Sequence, residues 1–473
     1  MNSIAKKYST LFYGIAILFL SFDFLSTTFH YYHLPLDGDL PKIATPILWY
    51  EDVIKDPFGT KAITEHIEYG GAGRYMCHIS IYLYYHIIPN AIQFVVKDPI
   101  VSVFLSNAVL CACLYISFLF LMFRFISVTL QVQTWQKIII FILSAACIQL
   151  NSGYDSIGLI DRSASYIFFY ILPLQLLAYY FYVFYKYYHK AHPISLLTHI
   201  TLLLLSIYLA FSGPLIQPIL FIFFFMIGLS FILKNQNIKR FFFKKEVLFH
   251  ALVFLGLCIY AFWVSRHNSE KNESISLVRR YVLMLWGLIV VIKHHIVIFF
   301  ITAILILNTY LIRKKTNFKN QFEQLIKIFI FFSIIYLSLL PLGGYRSYRP
   351  YIIRYDTLQP ITLFFIFCFI YSCILVLKHY SFKDNEKRNY YALLGIFVIA
   401  FSSIDLDIER NLNECQQQNM YTLHQTKDTV INVPRNCNLG TWDPNDLNDP
   451  YTLDMLSKLF RHWHVIKPYQ TLK

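Results

Sequence analysis

Charged residues are scarce in this sequence: only 14% of its 473 residues are Asp, Glu, Lys or Arg, whereas 57% are hydrophobic. Soluble globular domains usually carry about 25% charged residues, so this chain lacks the polar surface that a soluble protein would need. Acidic side chains are the scarcer kind, with 27 of them against 41 Lys and Arg. Long apolar runs take their place, and the sequence predicts an all-α polytopic membrane protein.

Several motifs of soluble enzymes are missing or stand in the wrong context. The Gly-rich stretch GGAGR at 70–74 follows no predicted strand, which excludes a dinucleotide-binding or P-loop fingerprint. The nine cysteines show no metal-ligand spacing. No inverted internal repeat is evident, which weakens the case for a secondary transporter.

Eleven apolar runs approach the roughly 20 residues that a membrane-spanning helix needs, although some are short. The first run follows Lys6 and Lys7 and has no small-x-small cleavage site after it, so we interpret it as a retained anchor. The predicted spans are 9–29, 100–125, 137–150, 164–185, 196–212, 219–233, 247–264, 294–312, 327–342, 358–377 and 390–404.

Basic residues are concentrated in the short loops on one side of the membrane. With a cytoplasmic N-terminus, the short inner segments hold 20 of the 41 Lys and Arg but only 4 of the 27 Asp and Glu. The positive-inside rule then predicts a multi-pass membrane protein whose C-terminus lies on the outer side. The net charge of +14 is thus a topology signal, and nucleic acid is not an expected partner.

One segment is too long for a single span. Residues 281–312 would form a helix of about 48 Å, against a bilayer core of about 30 Å. Lys293, His294 and His295 interrupt this run. Because two spans here would move the later basic loops outside, we predict an interfacial or re-entrant helix at 274–292 on the outer side.

The chain divides into a transmembrane domain at 1–404, with a large first outer loop at 30–99, and a small outer C-terminal segment at 405–473. Within that segment we predict an amphipathic helix near 451–462. The segment also contains Cys415 and Cys437. An oxidising compartment favours a disulfide between them, and the alternative is two unpaired thiols.

The stretch HLPLDGDLPKIATP at 33–46 follows the first span and contains two aspartates around a glycine. In one interpretation Asp37 begins a turn and Asp39 caps a short helix that opens at Pro41. In the other, both carboxylates belong to a reacting centre at the mouth of the bundle. The amphipathic stretch 46–59, which can lie on the membrane surface, favours the second interpretation.

This organisation resembles the GT-C class of glycosyltransferases, which use polyprenyl-phosphate-linked sugars. The shared features are a short inner N-terminus, one span, a first outer loop with early acids and interfacial helices, about ten further spans and an outer C-terminal segment. The resemblance implies that Asp37 and Asp39 act as the catalytic base or orient the acceptor. The chain departs from the class in lacking a long soluble domain. Residues 341–360 are also similar to uncharacterised membrane proteins of Bacteroidetes-type bacteria.

A sugar leaving a lipid phosphate requires cations for the charge that develops on the phosphate, and arginine binds phosphate oxygens bidentately. Three arginines fall within nine residues of one outer loop, and other basic residues can join them. The predicted donor phosphate-binding residues are Arg74, Arg346, Arg349, Arg354, Lys293 and His294. The competing interpretation is that these cations reach lipid headgroups. Asp161 and Arg162 are predicted to be structural.

The leading hypothesis is hexosyl or pentosyl transfer from a polyprenyl-phosphate sugar to a glycan, lipid or protein acceptor on the outer face. No cofactor is certain; the two carboxylates around a glycine can hold Mg²⁺ or Mn²⁺ or act without a metal. The alternatives are an O-antigen polymerase or ligase, whose large loop comes late, and a lipid-linked sugar flippase, which needs ionisable residues within its spans. A structural membrane subunit is a further alternative.

Overall fold

The computed structural model describes residues 2–46, 48–148, 150–151, 158–190, 193–233, 236–270, 273–294, 296–315, 317–347, 350–406 and 411–473. These residues are mostly helical, which confirms the all-α membrane architecture. The helices are α1 (Asn2–Tyr32), α2 (Leu40–Ala44), α3 (Leu48–Lys55), α4 (Thr60–Thr64), α5 (Tyr75–Val96), α6 (Pro99–Thr129), α7 (Thr134–Cys147), α8 (Ala164–Tyr166), α9 (Leu172–Lys190), α10 (Leu196–Ala210), α11 (Ile216–Ile232), α12 (Gln236–Phe242), α13 (Lys245–Ser265), α14 (Leu277–His294), α15 (Ile296–Lys315), α16 (Lys319–Leu339), α17 (Tyr355–His379), α18 (Asp384–Leu406), α19 (Glu414–Gln425) and α20 (Pro450–His462).

Strands are few and short in the described part of the chain. β1 (Leu150–Asn151) pairs in parallel with β2 (Ile160–Asp161), and β3 (Val430–Ile431) pairs in parallel with β4 (Thr471–Leu472). A π-helical turn, Ile167–Ile171, joins α8 to α9. These two-residue pairings fix connections between helices and do not form a sheet domain.

Seven described helices are long and apolar enough to cross a bilayer, and a bent helix pair gives an eighth. Three shorter apolar helices, α7, α10 and α11, fall on predicted spans. The seven are Thr10–Tyr32, Tyr75–Val96, Pro99–Thr129, Ala164–Lys190, Lys245–Ser265, Lys319–Gly343 and Asp356–His379. A polytopic membrane protein is therefore confirmed, whereas the count of eleven spans stays a prediction.

Helix ends follow the local sequence. Asp98 precedes Pro99, and its carboxylate accepts hydrogen bonds from the backbone N–H groups of Ile100 (2.8 Å) and Val101 (3.0 Å). Proline suits the first helical turn because it lacks only an N–H that the helix does not use. Asp449 caps α20 in the same way, again with a proline behind it.

The tail, which we define as residues 411–473, lies against the end of the first span. Gln416 pairs with the backbone of Leu36, accepting its N–H (2.8 Å) and donating to its carbonyl (3.2 Å). Tyr421 donates to the Asp98 carboxylate (2.8 Å), and the indole of Trp463 donates to the carbonyl of Tyr85 (2.8 Å). We call the side of the bundle that the tail covers the tail face.

Two predictions about the tail are confirmed. Cys415 and Cys437 form a disulfide. The predicted helix is α20, whose Leu453, Leu456 and Phe460 are buried against the rest of the protein. The spacing of these three residues places them on one side of the helix, as an amphipathic segment requires.

The first outer loop differs from its predicted form because it contains an apolar helix of 22 residues, α5. At its start, Met76 donates its N–H to the carbonyl of Phe211, which stacks edge-on with Phe58 of the first loop. Near its end, Gln93 donates to the carbonyl of Trp463 in the tail (2.9 Å). Since both ends contact tail-face segments, α5 lies along that face despite its apolar composition.

The long segment around residue 294 also bends. Helices α14 and α15 meet at 84°, a geometry typical of a broken span or a re-entrant loop. Tyr281 donates to the carbonyl of Ser338 (2.8 Å), and Arg280 points towards the carbonyl of Pro341. The start of α14 therefore lies beside the tail-face end of α16, in agreement with the predicted helix at 274–292.

Candidate functional site

The carboxylate of Asp37 is buried and joins two separate segments. It accepts hydrogen bonds from the backbone N–H groups of Asp39 (3.1 Å) and Leu40 (3.0 Å), which tie down the start of α2. It also accepts the N–H (3.0 Å) and the hydroxyl (2.7 Å) of Ser165 in α8. Four donors nearly fill the lone-pair positions of a carboxylate, so Asp37 is held firmly in a connecting position.

Gly38, between the two aspartates, lies where the tail approaches the turn closely. A Cβ at this position would lie 2.4 Å from the backbone nitrogen of Trp442 and 2.6 Å from its ring. Only a residue without a side chain lets the tail approach this closely. A second contact of the same kind occurs at Gly440, whose φ of +68° requires glycine and whose Cβ position lies 2.8 Å from Pro41.

Asp39 is only partly buried, and its side chain makes no cap contact with α2. One carboxylate oxygen accepts the indole N–H of Trp442 (3.0 Å). Burial raises the pKa of Asp39 from 3.8 to about 6, and the neighbouring charge of Asp37 adds to the shift, while Trp442 and Lys42 oppose it. A carboxylate with a pKa near 6 is ionised at neutral pH and still accepts a proton readily.

Arg354 joins this group of residues through Tyr166. Its guanidinium lies 5.0 Å above the ring of Tyr166, which in turn contacts the ring of Trp442 at 6.1 Å between centroids. Arg354 also forms an ion pair with the buried Asp356. A planar cation stacked on an aromatic ring is held in a fixed orientation.

Asp161 belongs to this group as well. Its carboxylate accepts the N–H of Ser163 (2.8 Å) at the start of α8. Burial raises the pKa of Asp161 to about 7, although Ser163 and Arg354 oppose the shift and the charges of Asp356 and Asp37 strengthen it. Asp161 was predicted to be structural; the structure brings it into electrostatic contact with the candidate site.

Arg74 and Arg346 share one acid. Glu270, in the loop after α13, lies 2.7 Å from the guanidinium of Arg346 and 3.6 Å from that of Arg74. Burial alone would raise the pKa of Glu270, but the two arginines lower it below its usual value. The charge of Glu270 in turn raises the pKa of Asp39, so the two groups of residues are electrostatically coupled.

No known protein family, curated protein or solved structure matches this chain.

The structure thus brings together the cluster of Asp37, Asp39 and Arg354, and beside it the pair of Arg74 and Arg346. The other predicted phosphate-binding residues stand differently. Lys293 is exposed near the end of α14, and none of the described contacts links it to these groups. Arg349 lies outside the described residues, as does the side chain of His294. Their assignments stay predictions.

Reasoning from sequence missed the contribution of the tail. Trp442, which orients Asp39, lies 403 positions away along the chain. Glu270 and Tyr166 were missed for the same reason, since nothing in a single sequence shows which distant loops meet. Asp356 offered one local signal, because an acid two residues after Arg354 can pair with it.

The positive and negative charges of the site nearly cancel. Five carboxylates face four cations, which leaves one negative charge when all are ionised: Asp37, Asp39, Asp161, Asp356 and Glu270 against Lys42, Arg74, Arg346 and Arg354. Protonation of Asp161 alone would make the group neutral. Among the described residues, no three His, Cys, Asp or Glu side chains form a group able to hold a metal ion.

Proposed function

We propose that this protein is a membrane glycosyltransferase that moves a sugar from a polyprenyl-phosphate donor to an acceptor hydroxyl on the tail face. The proposal rests mainly on Asp39, a partly buried carboxylate with a pKa of about 6 that is oriented by Trp442. General bases work best when their pKa lies near the working pH. Asp37, with four hydrogen bonds, supports the turn that carries this base.

In the proposed reaction, the acceptor oxygen forms a bond to the anomeric carbon while the bond from that carbon to the phosphate oxygen breaks. Asp39 takes the proton of the acceptor hydroxyl. The polyprenyl phosphate leaves with the bonding electrons, and its added negative charge requires cations. Arg346 and Arg74 are suited to this role because both guanidinium groups lie at Glu270, and arginine binds phosphate oxygens bidentately.

Arg354 is less available to a donor. It is already paired with Asp356, whose side chain is only 2% exposed, and its removal would leave a buried charge without a partner. We therefore propose that the ion pair of Arg354 and Asp356 supports the site, with the guanidinium held over the ring of Tyr166.

The sidedness of the reaction is part of the proposal. Disulfides persist in oxidising compartments such as the bacterial periplasm. The Cys415–Cys437 disulfide lies in the tail. This supports a periplasmic tail face in a bacterial inner membrane, the side on which the basic inner loops also place it.

The first experiment compares two variants with the parent in isolated membranes supplied with radiolabelled polyprenyl-phosphate sugars. Asp39→Asn should reduce transfer by roughly 10²–10⁴-fold, the usual contribution of a general base. Glu51→Gln, which removes a partly exposed acid of α3 whose ion pair in the described part of the chain is with Lys55, should leave transfer unchanged. If Asp39→Asn membranes transfer sugar at the parent rate, Asp39 is not the base and the proposal fails.

The donor phosphate is tested with Arg346→Gln. This substitution leaves Glu270 paired with Arg74, so no buried carboxylate loses its only partner. We expect the KM for the lipid donor to rise by about tenfold or more, whereas the KM for the acceptor stays the same. An equal change for both substrates would mean that Arg346 supports the fold and does not bind the phosphate.

A further inference from the structure

At the end of the bundle opposite the tail face, a cavity of about 310 Å³ opens between the last turns of α6 and α9. Arg124 of α6 and Lys186 and Lys190 of α9 line it together with the rings of Phe123 and Tyr182. Both helices are long enough to span a membrane, so this cavity lies where their ends leave the bilayer core.

Helical spacing explains why these residues of α9 line one cavity. Tyr182, Lys186 and Lys190 are four residues apart, which places all three on one side of α9. The two helices run in the same direction, because Gln175 near the start of α9 donates to the carbonyl of Leu114 in the middle of α6 (3.3 Å).

Towards the cavity, the ring of Phe125 contacts the rings of Tyr182 and Tyr185 at 5.5 and 5.8 Å. These contacts fix the spacing between the two helix ends, so the basic side chains project into a space of defined shape.

The lining has a chemical bias towards anions. It holds three cations and no acidic residue. Ser127 also contributes to the lining.

We propose that this cavity binds the headgroup of an anionic phospholipid. The position decides between a lipid and a soluble anion: the cavity sits at the level of the lipid phosphates, and its aromatic residues are of the kind that lie at this depth. The phosphate would contact the three cations, while the acyl chains follow the apolar surfaces of α6 and α9.

The test uses the full chain purified in detergent and native mass spectrometry. Phosphatidylglycerol and phosphatidylethanolamine are titrated separately, because both carry a phosphate but only the first has a net negative charge. The site variant combines Arg124→Gln, Lys186→Gln and Lys190→Gln. The control variant combines Lys239→Gln, Arg240→Gln and Lys245→Gln, which removes the same charge from α12 and α13 on the same side.

Each cation near a charged membrane surface contributes about fivefold to affinity. We therefore expect one tightly bound phosphatidylglycerol, preferred at least fivefold over phosphatidylethanolamine, with affinity reduced at least tenfold in the site variant and less than twofold in the control. The single substitution Lys190→Gln, at one of the three exposed cations, should reduce affinity by about fivefold.

Three results would overturn the proposal. Equal binding of the two lipids would show that the negative charge is not recognised. Equal losses in the site and control variants would show a diffuse charge effect and no defined site. Displacement of phosphatidylglycerol by millimolar inorganic phosphate would identify the cavity as a site for a soluble anion.

Discussion

Replacing Asp39 with Asn should stabilise the protein at neutral pH while it removes the proposed base. The folded protein raises the pKa of this carboxyl from 3.8 to about 6. Between these values the folded state binds more protons than the unfolded state, so stability falls as the pH rises through this window. Above pH 6 the full cost of the ionised carboxylate is present. A shift of about two pH units corresponds to about 3 kcal/mol.

Asparagine avoids this cost because it has no charge, and its carbonyl oxygen still accepts the indole N–H of Trp442. We expect the free energy of unfolding of Asp39→Asn to exceed that of the parent by about 2 to 3 kcal/mol at pH 7.5 and to equal it near pH 4. Denaturant titrations in mixed micelles at the two pH values measure both differences. Asp37→Asn is the comparison, and it should lose about 1 to 3 kcal/mol at pH 7.5 because four donors lose a charged acceptor.

The result that would refute this reasoning is a difference between Asp39→Asn and the parent that does not change with pH. The carboxyl would then titrate alike in the folded and unfolded protein, and its burial beside Asp37 would have no energetic effect. A variant that is less stable than the parent at pH 7.5 would refute it more directly, since it would give Asp39 a supporting role like that of Asp37.

Three further perturbations test the contact between the tail and the turn. Gly38→Ala should release the tail and expose it to protease, because an added Cβ meets the backbone of Trp442; Gly14→Ala, where a Cβ meets no atom within 4 Å, should leave cleavage unchanged. Trp442→Phe removes the indole N–H that lowers the pKa of Asp39. The acidic side of the pH profile of the proposed sugar transfer should therefore move up by about one pH unit. An unchanged pH profile would argue against this contact. Reduction of the Cys415–Cys437 disulfide, which joins residues 22 positions apart, should weaken the tail by about 3 kcal/mol, and equal protease resistance before and after reduction would contradict this.

Some of the architecture could be predicted because it depends on local patterns. The bend before α15 followed from a run too long for one span and interrupted by Lys293 and His294. The amphipathic helix α20 followed from spacing alone. Such features require only the length, charge and periodicity of one continuous segment.

The apolar helix α5 shows where this reasoning fails. Composition indicates a possible span, but its position depends on the hydrogen bonds of Met76 and Gln93 with segments more than 100 residues away. Hydropathy measures the preference of a segment for an apolar environment and does not distinguish lipid from protein as its source.

The candidate site was predicted only in part for the same reason. The two aspartates and the arginines were recognisable as residue types, but the assignment of separate roles to Asp37 and Asp39 required their hydrogen-bond partners. Ser165 donates a hydrogen bond to the carboxylate of Asp37, and Trp442 donates one to the carboxylate of Asp39. Neither partner is near the turn in the sequence, and neither lies in a recognisable motif.

The contact between Asp39 and Trp442 also sets an order of events during synthesis. The two residues leave the ribosome 403 positions apart, which at roughly 5 to 20 residues per second means a delay of roughly 20 to 80 s. Throughout that interval the turn is already in the membrane, yet the carboxylate has neither the indole donor nor the cover of the tail. Synthesis of the tail is therefore the step that brings Trp442 to Asp39, and under the proposed function we expect a chain cut short before residue 442 to insert but to transfer no sugar.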